Sequence, residues 1–246
     1  MDAEKLAMQK PLKILVACEE SQAVTKEMRR LGHEAYSCDI QECSGGHPEW
    51  HIMGDVLPLI NGLCKFKTMD GRTHRIEGRW DLLIAHPPCT FLSNAGACRL
   101  YPKKGQLDPV RYAKGLEAKA FFMAFYNANC PRIAVENPLP SKVFEMPPVS
   151  QWLQPYEYQF EDDETCIHPW TKKTGLWLKN LPLLIPTTPN AVPLAPFVPS
   201  VTGRKDRNKY GAAKRGEDAK NRSKTFPGIA RAMAEQWAGP VNNLEE

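Results

Sequence analysis

Residues 13–39, KILVACEESQAVTKEMRRLGHEAYSCD, decide the fold of this chain. The apolar, β-rich run KILVAC predicts a buried strand. The helical spacing of Val24 and Met28 then predicts a helix, which Gly32 ends. EAYSCD predicts a second strand that ends at Asp39. A strand–helix–strand unit within one sheet implies parallel strands joined by a right-handed crossover.

The alternation of strands and helices continues along the chain and predicts an α/β fold. We expect a Rossmann-like, mostly parallel sheet with helices on both faces. Further strands are predicted at 80–85, 132–135 and 174–178, and helices at 55–63, 110–127 and 223–237. The apolar positions expected in the helix 110–127 are Leu116, Ala120, Met123 and Phe125.

The whole chain, 1–246, is expected to form a single domain. Its core is assigned to 12–140, a Pro-rich and basic segment on the substrate side to 141–222, and a helix that packs back on the core to 223–238. Within the middle segment, residues 203–224 carry nine Lys/Arg against three Asp/Glu. Such a segment can contact phosphate, and a solvated loop accounts for its charge equally well.

Composition favours a reduced, cytoplasmic protein. The chain has no apolar run long enough for a membrane span, and residues 1–10, MDAEKLAMQK, do not resemble a secretory signal. Eight cysteines without such a signal are expected to be thiols, one of which could be catalytic.

Two short motifs follow neighbouring predicted strands. In His86-Pro87-Pro88-Cys89 the prolines stiffen the turn, so Cys89 is displayed at the strand end, where a thiolate acts as a nucleophile. Glu136, in VENP, follows the next strand and could protonate a ring nitrogen. Each motif also has an ordinary structural explanation: a small residue in a tight turn, and a carboxylate that caps a turn or pairs with a lysine.

PPC followed by ENP resembles two conserved blocks of the DNA cytosine-5 methyltransferases. The resemblance implies a Rossmann-like methyltransferase fold and S-adenosyl-L-methionine as cofactor. It implies that Cys89 attacks C6 of cytosine, and that Glu136 engages N3 and the exocyclic amine. Pro87, Pro88, Asn137 and Pro138 would position these groups.

The same resemblance implies cofactor contacts at the ends of the first strands. The turn after the first strand would receive the methionine part, although it lacks the family's glycines. Acids after the second strand and near 55 would bind the ribose and the adenine, and either could instead be a cap or a loop acid. The implied cofactor-binding residues are Cys18, Glu19, Ser21, Asp39, Ile40, Asp55, Val56 and His86.

On the substrate side, Lys172 and Lys173 stand where family members carry a basic block. Residues 225–228, at the start of the final helix, are expected near the cofactor. Only about forty residues lie between these elements, too few for the family's target-recognition domain. The enzyme would then read little sequence, use a separate specificity partner, or act on a substrate other than duplex DNA.

Cys38, Cys43, His47 and His51 lie close together in the sequence but match no common zinc spacing, so no metal site is expected. The alternative is a loop over the cofactor in which Trp50 stacks near the adenine.

Three functions remain open. The first is a compact, phage-like DNA cytosine C5-methyltransferase that acts on duplex or single-stranded DNA. The second is the same C5 methylation on a free cytosine nucleotide such as dCMP or dCTP. The third is a catalytically silent protein that binds nucleic acid or cofactor.

Overall fold

The computed structural model of the chain describes residues 10–193, 195–196 and 223–241. Its strands are β1 (Lys13–Ala17), β2 (Glu34–Asp39), β3 (His51–Met53), β4 (Cys64–Lys67), β5 (Thr73–Ile76), β6 (Leu82–Ala85), β7 (Ile133–Pro138), β8 (Gln151–Leu153), β9 (Trp170–Thr171), β10 (Thr174–Lys179) and β11 (Ala195–Pro196). Its α-helices are α1 (Ala23–Arg30), α2 (Ala97–Leu100), α3 (Pro109–Tyr126) and α4 (Pro227–Trp237). Within these residues, no helix is long and apolar enough to cross a bilayer.

Seven strands form one sheet in the order β3-β2-β1-β6-β7-β10-β8. The first five are mutually parallel, and β10 runs antiparallel to both β7 and β8. The α/β prediction with a mostly parallel sheet is therefore confirmed. Counted along the chain, the parallel strands have the order 3-2-1-4-5, which a doubly wound sheet shows. Their carboxyl ends consequently share one edge.

Side chains of β1 alternate between two hydrophobic cores, one on each face of the sheet. Leu15 and Ala17 belong to the core on the α3 side. Ile14 and Val16 belong to the core shared with α1 and α4. Helices therefore cover both faces, and the polar groups at the strand ends are left at the edge.

The prediction of a helix at 55–63 is wrong. Turns replace it, with Leu59 N donating to Val56 O and Gly62 N to Leu59 O. Both bonds span three residues, and Pro58 has no N–H to donate within a helix. The chain then enters a hairpin of β4 and β5 that sequence analysis did not predict.

Helix α3 is present as predicted, but its buried face differs from the expected one. Phe125 is buried as predicted, but Leu116 is 44% exposed, and Gly115 and Phe122 are buried in place of the other expected positions. A Cβ atom added at Gly115 would lie 2.1 Å from the Phe144 ring. The glycine therefore allows residues 142–144, which follow β7, to pack directly on the helix.

Helix α4 packs against α1 through Ile229, Met233 and Trp237, as its apolar spacing predicts. Arg132 holds its end by donating from Nη1 to Trp237 O at 3.0 Å. Residues 203–222 of the basic segment lie outside the described residues.

Candidate active site

His86 and Glu136 are neighbours at the carboxyl edge of the sheet. Ala85 at the end of β6 is paired with Val135 of β7, so the next residue of each strand lies side by side. His86 Nδ1 and Glu136 Oε2 are 3.3 Å apart. The His86 side chain is only 6% exposed and that of Glu136 is 22% exposed. One group is thus enclosed and the other can reach a ligand.

The cysteine loop is tied to the segment that follows β7. Asn137, which is 2% exposed, donates from Nδ2 to Pro87 O at 2.9 Å. Ser141 N donates to Leu92 O at 2.8 Å on the far side of the loop. Between these ties, Cys89 is half-buried and begins a turn in which its carbonyl accepts from Ser93 N at 2.9 Å. The two motifs are therefore tied together by hydrogen bonds.

Glu136 also lines a cavity closed by the start of α4. Lys172, Thr174, Lys224 and Thr225 contribute polar groups to its wall. Leu153, Phe226, Ile229 and Met233 form the apolar part of the wall. The cavity thus combines one carboxylate with two cations, and it includes Thr225 from the segment expected near the cofactor.

The two lysines of the basic block lie in different surroundings. Lys172 lines the cavity, with Nζ 5.4 Å from the centre of the Phe226 ring. Lys173 is exposed, and its Nζ lies 4.6 Å from the centre of the Trp152 ring. Only Lys172 is therefore brought to the wall that Glu136 shares. Pro138, which is half-buried, pairs with Thr174 of β10 and holds that strand beside the site.

The turn after β1 contains no glycine, but two of its residues adopt the left-handed backbone conformation that glycine usually adopts. Cys18 and Gln22 both have left-handed conformations, with φ values of 58° and 57°. Ser21 is half-buried within this turn, and a Cβ atom on Gly45 would come within 2.6 Å of its carbonyl oxygen. The turn is therefore tightly packed against the loop that follows β2.

Glu19 occupies the start of α1. Its carboxylate accepts from Val24 N at 2.6 Å and from Thr25 Oγ1 at 2.7 Å, and it is 3% exposed. The turn after β1 was expected to receive the methionine part of a cofactor, and in this structure Glu19 occupies the amides of Val24 and Thr25. Burial raises the pKa of Glu19, while the charge of nearby His86 lowers it.

The acids after β2 and β3 gather near Cys18. Burial raises the pKa of the Cys18 thiol, and the charges of Asp39, Cys38 and Asp55 raise it further. Asp39 is half-buried and accepts from Gln41 N at 2.9 Å through Oδ1. Asp55 is exposed and accepts from Leu57 N at 3.0 Å. Cys18 is consequently held as a neutral thiol beside two carboxylates.

The apolar neighbours of these acids lie in opposite settings. Ile40 is 79% exposed beyond β2, whereas Val56 is 4% exposed in the core. Ile40 could therefore cover a ligand at this edge. Val56 instead packs beneath the edge, where it supports the turn that carries Asp55.

The two histidines after β2, His47 and His51, have protein partners. His51 Nδ1 lies 2.8 Å from Ser37 Oγ, and its Nε2 lies 2.9 Å from Gln41 O. The His47 ring stacks on Trp50 at 3.8 Å. Among the residues described, no three side chains of the metal-ligating types are grouped to hold an ion.

Two buried polar atoms at the site have no hydrogen-bond partner among the described residues. They are His86 Nε2 and Asn137 Oδ1. Buried polar groups are normally satisfied, so such atoms indicate where a ligand or water would bind. Sequence analysis placed His86 only among cofactor contacts and missed its pairing with Glu136. The contact between His86 and Glu136 could have been predicted, because each residue directly follows the last apolar position of one of two neighbouring parallel strands.

A scan against models of known protein families finds no match, and a search of curated proteins finds no relative of this chain. The chemistry of the site therefore has to be argued from its own residues. These residues supply a carboxyl group with an imidazole beside it and a cavity wall that includes two lysines. The half-buried thiol of Cys89 lies in the loop that Asn137 holds and is not among the residues that line the cavity.

Proposed function

We propose that the protein is an S-adenosyl-L-methionine-dependent cytosine C5-methyltransferase with a Rossmann-like fold and Cys89 as nucleophile. The observation that carries the proposal is the joining of the two motifs. Asn137 holds the cysteine loop through Pro87 O, and the preceding residue, Glu136, faces the cavity. The 3-2-1-4-5 order of the parallel strands supports it, because ligands of such sheets bind at the carboxyl edge.

Cys89 and Glu136 divide the proposed chemistry. The Cys89 sulfur bonds to C6 of the pyrimidine while Glu136 donates a proton to N3, which makes C5 electron-rich. S-adenosyl-L-methionine, when bound, would supply an electrophilic methyl group for C5 and would leave as S-adenosylhomocysteine. Loss of the C5 proton to a base then allows the C6–S bond to break, and N3 returns its proton to Glu136 as the thiolate leaves neutral 5-methylcytosine.

His86 positions Glu136 for this role. Its Nδ1 contacts one carboxylate oxygen at 3.3 Å, which leaves the other oxygen of Glu136 available to the pyrimidine. Because the His86 side chain is enclosed, its ring cannot rotate freely away from the carboxylate. Orientation of this kind lowers the barrier without contact between the imidazole and the substrate.

The residues at the β1 and β2 ends fit the cofactor in part. Asp39 Oδ2 makes no hydrogen bond to the described residues and would accept from ribose hydroxyls. Asp55 would lie near the adenine, with Ile40 beside it. Glu19 does not fit a contact with the methionine carboxylate, since its own carboxylate fills the start of α1. The methionine carboxylate would need a cationic partner elsewhere, and Lys172 and Lys224 beside Glu136 are candidates for it.

A free cytosine nucleotide is the second candidate substrate. Lys172, Lys224 and Thr225 give the wall beside Glu136 two cations and a hydroxyl group, which are groups that bind phosphate. The cavity measures about 20 Å³, so this wall would have to move outward to admit a phosphate. A free nucleotide also avoids the cost of extruding a base from a duplex, a few kcal/mol.

A covalent trap tests the function. Protein and S-adenosyl-L-methionine are incubated with single-stranded or duplex oligonucleotides that contain 5-fluorocytosine, because fluorine at C5 prevents proton loss and release. A band that resists denaturation supports DNA as substrate. Methyl transfer to dCMP or dCTP without trapping supports the nucleotide reading.

Cys89→Ser and Cys98→Ser form a matched pair, because Cys98 is an exposed thiol on α2. Trapping should be lost in the first variant and kept in the second. Cofactor binding without transfer to either substrate would favour a silent binding protein and would contradict the proposal.

A further inference from the structure

The hairpin formed by β4 and β5 carries several positively charged side chains on its outer face. Strand pairing places Lys65 opposite Arg75 and Lys67 opposite Thr73. All four of these side chains are exposed, while Phe66 and the other alternate residues turn inward. Since i and i+2 along a strand are roughly 7 Å apart, the cations form an ordered row on a two-stranded ribbon.

Neighbouring acids do little to neutralise this row. Glu77, itself 80% exposed, lies 3.9 Å from Arg75, and exposed pairs of that length contribute little. Asp70 is paired with Arg72 at the hairpin turn. Lys65 and Lys67 form no ion pair with any residue that the structure describes.

The pairing of Lys65 with Arg75 has a cost. Like charges directly opposite each other in an antiparallel ribbon destabilise it. Exposed strand edges are often protected by charge, but protection needs no single sign. An anionic partner that contacts several of these cations at once would offset the repulsion and would explain why the row is present.

The ribbon is also held firmly. Phe66 packs edge-on against Tyr36, with ring centres 5.0 Å apart, and the Tyr36 hydroxyl lies 3.0 Å from His74 Nδ1. At the turn, Met69 N donates to His51 O at 2.8 Å. The cations therefore stand on a fixed platform joined to β2 and β3.

We propose that this outer face, Lys65, Lys67 and Arg75, binds the phosphate backbone of a nucleic acid. A two-stranded ribbon with regularly spaced cations matches the repeating charge of the DNA backbone, and its lysine and arginine side chains are donors that phosphate oxygens accept. The surface would give the chain affinity for DNA without sequence preference. It is independent of methyl transfer, so Cys89→Ser protein should bind equally well.

The test measures binding of Cys89→Ser protein to a labelled DNA duplex by fluorescence anisotropy, between about 50 and 200 mM salt. Adding Lys65→Gln, Lys67→Gln and Arg75→Gln should weaken binding about tenfold or more and reduce the salt slope by roughly 2–3. A control with Lys10→Gln, Lys26→Gln and Lys119→Gln removes the same charge elsewhere and should change the affinity by less than about twofold.

A charge-conserving variant, Lys65→Arg with Lys67→Arg and Arg75→Lys, should retain both affinity and slope, and thermal melting should show all variants folded. Equal loss in the scattered control would overturn the proposal, and so would an unchanged slope in the ribbon variant. Binding to phosphatidylserine vesicles as tight as binding to DNA would assign the surface to membranes instead. Absence of methyl transfer in the unaltered chain would leave this result standing, so the two proposals fail separately.

Discussion

Glu19 and Glu136 stand near the same imidazole at one edge of the sheet, but their surroundings differ. Glu19 is almost fully buried, and its carboxylate accepts hydrogen bonds from Val24 and Thr25 of α1. Glu136 contacts His86 and faces a cavity. A carboxylate whose lone pairs are used by its own helix stabilises the fold, whereas one that shares a wall with lysines can act on a ligand. The two halves of the edge are therefore expected to respond differently to substitution.

The largest effect is expected at the cysteine loop. Cys89→Ser should reduce methyl transfer by at least about 10³-fold, since a serine hydroxyl at neutral pH is a far weaker nucleophile than a thiolate. The free energy of unfolding should change by less than about 0.5 kcal/mol, because Cys89 is only half-buried. Methyl-transfer rates and urea unfolding would measure the two. Residual activity within tenfold of the unaltered chain would show that another group is the nucleophile.

Glu136→Gln tests the catalytic side of the comparison. The amide cannot donate a proton to N3 as a carboxylic acid does, so kcat should fall by roughly 10²–10³-fold with stability nearly unchanged. Steady-state kinetics on folded protein would measure the loss. A large fall in stability with normal kcat would assign Glu136 a structural role and remove the contrast with Glu19.

Glu19→Gln tests the structural side. Gln keeps an acceptor for Val24 N but places an NH₂ group where Thr25 donates, and it should cost about 1–3 kcal/mol of unfolding free energy. Activity per folded molecule should stay within about twofold, because the carboxylate contacts α1 and not the cavity. Urea unfolding and active-site titration separate the two quantities. A fall in activity to the level of Glu136→Gln would mean that both carboxylates belong to the active site.

His86→Asn sharpens the comparison, since His86 lies near both acids. Loss of the contact with Glu136 should lower kcat about tenfold and leave KM within about twofold, as expected of a residue that positions another. His86→Gln, whose longer amide can still reach the carboxylate, should recover part of the rate. Unchanged kcat in His86→Asn would exclude the positioning role.

The smallest effect is the pH dependence that Glu19 contributes to stability. Because burial raises its pKa above the ordinary 4.5, the folded chain holds a proton that the unfolded chain has lost. Its contribution to stability is therefore complete below pH 4.5 and is lost as pH rises through the raised pKa. Unfolding free energies measured at several pH values should fall less steeply in Glu19→Gln. A steeper fall in the variant would contradict the sign.

The sequence revealed the parallel sheet because β1, β6 and β7 are short apolar runs that end in polar motifs. The sequence also led us to predict that Cys89 and Glu136 lie at one edge of the sheet, since the carboxyl ends of parallel strands meet there. It could not reveal the role of Glu19, because a carboxylate reaches the start of α1 only through the left-handed backbone at Cys18. That conformation is uncommon for a residue other than glycine, so the motif gave no sign of it.

The hairpin was missed for a different reason. CKFK and THRI are alternations of only four residues each, too short to mark a strand by themselves. The inward-facing Phe66 packs on Tyr36 and Trp80, which lie outside the hairpin. Local pattern alone could not identify a ribbon that depends on contacts supplied by β2 and by the chain just before β6.

The closing of the Glu136 cavity by Thr225 and Phe226 has a consequence for biosynthesis. Glu136 and its neighbours leave the ribosome long before the chain segment that completes their pocket, and domains fold as units during synthesis. A nascent chain can thus present the cysteine loop and the sheet while the cavity beside Glu136 still lacks one wall. That wall forms only after Thr225 and Phe226 have been synthesised and have packed back on the sheet.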